Sequence, residues 1–239
     1  MDYVVSYSQS GAPARLPPLT EIVALRRLKL TGWQPRSIYD IGALHGEWSK
    51  EAAEVFPAAE HFLFEANADH ERDLKSSGYR YFIAALGAED GVEAPFYVAR
   101  DVDPSGASLY RENTRHFVDA KLMVRKVVTT RLDSVVAAHG LPLADLAKID
   151  TQGSELDVIA GGKHALSRCG VLIVETSFLN YNKGAPLFAD VIAALDKLGM
   201  KCVDISQTHH IGPGFYVQAD LVFVNDEVYR RYYSAAGLT

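Results

Sequence analysis

Ser37-Ile38-Tyr39-Asp40-Ile41-Gly42-Ala43-Leu44-His45-Gly46 is the stretch that decides the fold: a short apolar run ends beside an acid, and two glycines turn it toward a helical pattern. An apolar β-type run, a glycine turn and a helix form the repeating unit of a parallel α/β sheet. Glycine lets the backbone approach a ligand closely, and the first turn of the next helix presents free N–H groups. The dinucleotide pattern G-x-G-x-x-G would place glycines at 42, 44 and 47, where the chain has Gly42, Leu44 and Glu47, which disfavours a pyrophosphate site.

The same alternation continues outward from this turn. Strands are expected at 37–41, 60–65, 79–86, 145–150, 171–176, 200–205 and 219–224, with helices over 46–56, 67–76, 154–167 and 185–198. Thr20 is expected to cap a helix from Glu21 to Leu30, with Ile22, Leu25 and Leu28 on its apolar stripe and Gly32 as its stop. Residues 1–19 carry Pro13, Pro17 and Pro18 and read as an extended arm, so 1–36 is expected to be an arm and helix and 37–239 the main domain. Between about 87 and 131 the alternation breaks, and 94–99 and 124–132 read as strands of an inserted β segment. Six Lys or Arg residues lie in 111–131 against Glu112 and Asp119, a local basic patch that reads as a solvated face or as a site for an acidic group.

Three strand ends carry acids. Glu65 closes Phe62-Leu63-Phe64-Glu65, 25 residues after Asp40, where a carboxylate can accept hydrogen bonds from both ribose hydroxyls of a nucleoside. Asp150 closes the strand before Thr151-Gln152-Gly153-Ser154-Glu155; Thr151 or Ser154 can cap the next helix and Glu155 suits its first turn, but neither role accounts for Asp150. Glu175 closes Val171-Leu172-Ile173-Val174-Glu175 on the same edge. Asp40, Asp150 and Glu175 would then cluster at three strand ends, and like charges held close raise one another's pKa or call for a cation: a sulfonium, an amine or a divalent metal. Of eight histidines none has ligand spacing; His209 and His210 are neighbours that would face opposite ways in an extended chain.

The whole chain has 239 residues, with 48% hydrophobic and 23% charged, enough to bury a core. A net charge of −6 argues against general nucleic-acid binding. No run approaches the ~20 apolar residues of a membrane span and the N-terminus has no signal-peptide pattern, so a cytoplasmic location is expected. Cys169 and Cys202 sit in apolar runs and read as buried small hydrophobes.

Taken in order, YDIGALHG, FLFEA, AALG (84–87), SGASLY (105–110), TTRLDSV (129–135), KIDTQGSE and LIVE (172–175) resemble the FkbM family of S-adenosylmethionine-dependent methyltransferases. The resemblance implies a Rossmann-like class I methyltransferase sandwich, with a mostly parallel seven-stranded sheet whose seventh strand runs antiparallel beside the fifth. It implies O-methylation of a hydroxyl on a small molecule, sugar or natural product, with S-adenosylmethionine as cofactor. By position it assigns Asp40, Gly42, Ala43 and Gly46 to the methionine and ribose part, Glu65 and Ala66 to the ribose, and Ala84, Ala85 and Leu86 to the adenine side. Asp150, Gln152 and Glu155 match the block at the reaction crevice, while His45 and Thr151 replace the commoner Asn and Val. Asp150 is then the first base or orienting group, with Glu175 and His209 or His210 behind it, and a metal clamp through Asp150 and Glu175 is a minor alternative. The other readings are an NAD(P)-binding oxidoreductase and a non-catalytic cofactor-binding module. Residues 87–131, Ser177 to Gly184 and 206–218 are expected to form the acceptor pocket, with Tyr181, Phe215 and Tyr216 as walls. A small-molecule acceptor is the expected partner, with neither nucleic acid nor membrane, and self-association into a homo-oligomer fits this reading.

Overall fold

A computed structural model describes residues 19–99, 106–114, 117 and 122–238. All of the arm expected over 1–19 except Leu19, together with Arg115 and Lys121 of the basic patch, falls outside them. Three other cations of that patch are paired: Arg125 with Asp69, Lys126 with Glu93 and Arg131 with Asp90.

The main sheet contains β1 (Ser37–Ile41), β2 (Glu60–Glu65), β3 (Arg80–Ile83), β7 (Leu146–Ile149), β8 (Val171–Ser177), β9 (Lys201–Ile211) and β10 (Phe215–Val224), in the order β3-β2-β1-β7-β8-β10-β9. Strands β3, β2, β1, β7 and β8 pair in parallel, while β10 runs antiparallel to both β8 and β9. This is the strand arrangement that the family resemblance implies, with the last strand antiparallel beside the fifth. Every residue of β1, β7 and β8 is buried, as expected for central parallel strands covered on both faces.

Two apolar layers hold the sheet. Tyr39, Ile41, Phe62, Phe64, Ala147, Ile149 and Leu172 face helices α4 (Leu132–His139), α5 (Glu155–Gly161) and α6 (Phe188–Lys197). On the other face Ile38, Leu146, Val171 and Ile173 pack against α1 (Glu21–Leu30), α2 (Glu47–Val55) and α7 (Asp226–Ala235). The short α3 (Glu71–Ser77) covers Leu63 through Leu74. Thr20 caps α1 by accepting the Val23 N–H, and Arg27 ties α1 to β9 through Asp204 at 2.5 Å.

Several expected elements differ in extent. The single strand expected over 79–86 is two: after Ile83, Ala84 donates to the Glu65 carbonyl, and β4 (Ala85–Leu86) leaves to pair with β6 (Leu122–Thr130). With β5 (Glu93–Ala99), β6 and β4 make a separate three-stranded sheet. The helix expected over 154–167 ends at Gly161, where a Cβ would lie 2.1 Å from the Gly87 carbonyl oxygen. Residues 206–218 are mostly strand, so β9 and β10 form one long hairpin. Helices α4 and α7 are additions to the sequence reading. Cys169 is buried, whereas Cys202 lies exposed on the edge strand β9. Among the described residues no helix is long and apolar enough to cross a membrane.

Candidate functional site

The glycine turns after β1 and β7 meet at the carboxyl edge of the sheet. The N–H groups of Gly42 and Ala43 donate to the Phe64 carbonyl at 2.9 and 3.0 Å, and that of Asp150 donates to Ile41 at 2.9 Å. Beside them opens a cleft lined by Ile41, Gly42, Leu44, Phe64, Glu65, Ala66, Ala84, Ala85 and Leu86. Phe96, Ala107 to Leu109, Asp150 to Gln152 and Ser154 complete it. Its mixed polar and apolar lining suits a small-molecule ligand.

Gly42, Glu65, Ala66, Ala85, Leu86 and Asp150 therefore share one cavity, while Asp40, Ala43 and Gly46 do not line it. Side chains alternate along a strand, so Asp40 projects with Ile38 toward the α1 and α2 face. There it accepts a hydrogen bond from Ser49 at 2.7 Å, its other oxygen has no partner, and burial pushes its pKa up.

Glu65 is fixed by two backbone donors: Leu44 N–H reaches one oxygen at 2.8 Å and Asn67 N–H the other at 2.7 Å. Leu44 adopts a positive φ of 48° to do so. Burial pushes the carboxyl up to about 7, against the pull of those N–H groups. Each oxygen keeps a second lone pair, the geometry needed to accept from a vicinal diol.

A second polar group adjoins the cleft. Asp150 accepts from the Lys148 ammonium at 2.8 Å on one oxygen and from the Gln152 amide at 2.9 Å on the other. Burial opposes its charge, but Lys148 and Gln152 hold its pKa below the usual carboxylate range. The same Gln152 amide nitrogen donates to Glu175 at 2.8 Å, as does Gln218 at 2.7 Å. Burial and the neighbouring Asp150 and Asp220 hold Glu175 well above its ordinary value. Asp220 pairs in register with Glu175, and His209 Nε2 lies 3.4 Å from an Asp220 oxygen. His210 is exposed, its ring against Tyr216, and takes no part in this group. Phe215 and Tyr216 also stand exposed at the hairpin tip.

Lys148, Gln218 and Asp220 carry the group and had no functional role in the sequence reading. Lys148 lies two residues from Asp150 on a buried strand and so shares its face, a signal a charged residue in an apolar run could have raised. Among the described residues two sets of side chains could hold a metal: Glu175, His209 and Asp220, and separately His45, His70 and Asp73.

The inserted segment closes over the second turn. Ser108 donates to the Gln152 carbonyl at 2.8 Å, and the Tyr110 hydroxyl to Asp157 at 2.8 Å. Asn182 donates to the Tyr110 carbonyl at 3.2 Å, so 106–113 and 177–184 meet above Asp150 and Gln152. Ser154 makes no side-chain cap to α5; Glu155 does the bracing instead. One of its oxygens accepts the N–H groups of Thr151 and Gly153 at 3.0 and 2.9 Å, and burial pushes its pKa up to about 7. Removing a charged acceptor strands buried donors. Glu155→Ala is expected to lower stability by roughly 1.5–3 kcal/mol in chemical denaturation; a loss below about 0.5 kcal/mol, the ordinary surface value, would mean the turn holds without it.

A profile of the methyltransferase FkbM domain matches residues 40–202. The 2-O-methyltransferase NoeI of Sinorhizobium fredii is 30% identical over 156 residues, which are 59% of this chain and 63% of that protein. Solved structures with a similar chain path include Aeropyrum pernix fibrillarin with bound S-adenosylmethionine, 12% identical, covering 84% of this chain and 74% of that one with a TM-score of 0.48. Magnesium protoporphyrin IX methyltransferase from Synechocystis, also 12% identical, covers 85% and 77% with a TM-score of 0.47.

Proposed function

The chain belongs to the FkbM methyltransferase family, and from that premise we propose that it transfers a methyl group from S-adenosylmethionine to a hydroxyl of a small molecule, sugar or natural product. The observation that carries the reading is Glu65, oriented by Leu44 and Asn67 at the rim of a cleft whose opposite wall is Asp150. A 30% identical relative is a 2-O-methyltransferase, which supports oxygen as the acceptor atom.

In this reading the ribose hydroxyls donate to Glu65, the adenine lies against Ala66, Ala85 and Leu86, and the sulfonium end faces Asp150. The acceptor oxygen bonds to the methyl carbon as the carbon–sulfur bond breaks, giving S-adenosylhomocysteine and one proton. Asp150 is ionised by Lys148 and Gln152, so it can orient the hydroxyl and receive that proton. Holding the two reactants in line supplies much of the remaining acceleration. The acceptor enters between 106–113, 177–184 and the β9–β10 hairpin.

Calorimetric titration with S-adenosylmethionine tests the reading, with NADH as the contrast. Glu65→Ala should weaken cofactor binding by roughly 1.5–3 kcal/mol, or about 10- to 150-fold. NADH binding in place of S-adenosylmethionine would sink it.

A pH dependence follows from the same residue. The diol needs the ionised carboxylate, and Glu65 is raised to about 7, so binding below that pH expels a proton. Affinity should rise as pH increases through about 7, with net proton release read from titrations in buffers of different ionisation enthalpy. Glu65→Gln should flatten the dependence; an unchanged slope would assign it to another group.

A further inference from the structure

We propose that Glu175, His209 and Asp220 form a binding site for one divalent transition-metal ion, joined to the cleft by Gln152, which lines the cleft and donates to Glu175. Their donor atoms come from the adjacent strands β8, β9 and β10 and all lie within 4.8 Å of one another. One ion can reach all three at about 2.0–2.2 Å after small side-chain rotations.

Three observations favour an ion over a plain hydrogen-bonded cluster. His209 Nε2 and the Asp220 oxygen are 3.4 Å apart, longer than a good N–H···O bond. Two donors on one ion at tetrahedral angles are spaced about 3.3–3.6 Å. The second is that Gln152 and Gln218 both donate to the same Glu175 oxygen, leaving the other oxygen with no hydrogen bond; one Asp220 oxygen is free in the same way. Glu175 is 5% and Asp220 3% exposed, yet neither of these oxygens is sealed inside the protein, so a cation can reach both. The third is charge. Asp150, Glu175 and Asp220 gather near one ammonium, and Lys148 already spends it on Asp150.

Two carboxylates with one imidazole suit manganese, iron(II) or zinc better than the all-oxygen shells of calcium or magnesium. Three protein ligands leave a coordination position open, the mark of a reactive rather than a structural site. The role of that position rests on the methyl-transfer reading. An alcohol oxygen loses its proton reluctantly to a carboxylate, whereas an oxygen on a divalent ion does so near pH 7. The metal-held hydroxyl would pass its proton to Asp150 or water as its oxygen takes the methyl group.

The other set is less suited. Asn67 accepts through its carbonyl oxygen from the Asp69 N–H and from Arg125, so its amide nitrogen donates to His70 Nε2. That lone pair is committed, and the other ring nitrogen then carries the proton.

The test is calorimetry of the full chain with manganese(II) chloride and, separately, zinc chloride, on the wild type, His209→Ala and His45→Ala. One ion per chain is expected, weakened at least tenfold by His209→Ala and unchanged by His45→Ala. His209 lies partly exposed on an edge strand, so its loss should leave the unfolding midpoint in place, which a thermal scan verifies. The proposal is overturned if neither ion binds up to about 1 mM, or if binding follows His45 instead of His209. S-adenosylmethionine titrated into the same samples separates the two readings. Cofactor binding without ion binding leaves methyl transfer standing and removes the metal site, while ion binding without cofactor binding supports the site and removes methyl transfer.

Discussion

Asp150→Asn is expected to lower kcat by about 10²- to 10⁴-fold, the range for groups acting in proton transfer, while the affinity for S-adenosylmethionine changes only a few-fold. Asp150 receives Lys148 on one oxygen and Gln152 on the other. An asparagine offers one oxygen and one NH₂, so one of these donors would face another donor and the acceptor hydroxyl would meet an amide in place of a carboxylate. The backbone contact that shapes the turn, Asp150 N–H to Ile41, involves no side chain and survives the change. Methyl transfer followed by release of S-adenosylhomocysteine, beside calorimetric cofactor binding, measures the two effects independently. Near-normal turnover would take the chemical step away from Asp150, and a large loss of cofactor affinity would recast it as a cofactor ligand.

The strands that build this site are legible because each is a local pattern. β1, β7 and β8 are short, mostly apolar runs ending beside a glycine turn or an acid, and burial of all their residues is the structural counterpart. Register is not a local pattern. Asp220 reaches the site because β10 pairs antiparallel with β8 and sets it opposite Glu175, and nothing in ADLVFV alone announces that partner. The choice between His209 and His210 depends on an irregularity in the β9–β10 ladder between Tyr216 and Gln218, which sets His209 opposite Gln218 and leaves His210 against Tyr216. The break at Ala84 is hidden for a similar reason: 79–86 has one continuous β-type composition, yet its two halves pair with different strands. Helix α7 rests on Asn225, whose side chain accepts the Val228 N–H, a capping signal in a stretch otherwise rich in Tyr and Arg.

Gly42→Ala is expected to be among the most damaging single changes in the chain. Gly42 has φ +83°, a conformation that disfavours any residue with a Cβ, and a Cβ there would lie 1.7 Å from the Asp150 carbonyl oxygen. The obstacle is backbone, so no side-chain rotation relieves it. Relief would need β1 and the turn after β7 to separate, which breaks the Asp150 N–H bond to Ile41. Adding roughly 1–3 kcal/mol of backbone strain to a similar cost of overpacking gives about 2–6 kcal/mol. For a chain of this size that is a fall in unfolding midpoint of roughly 4–24 °C. Gly46 supplies the control, since it shares a positive φ of 79° but its nearest obstacle is the movable Leu63 side chain at 3.0 Å. Gly46→Ala should therefore cost about 1–2 kcal/mol, mostly strain, and retain cofactor binding that Gly42→Ala loses. Equal losses from the two substitutions in denaturant unfolding would show that conformation alone, and not the close approach of the two turns, makes Gly42 necessary.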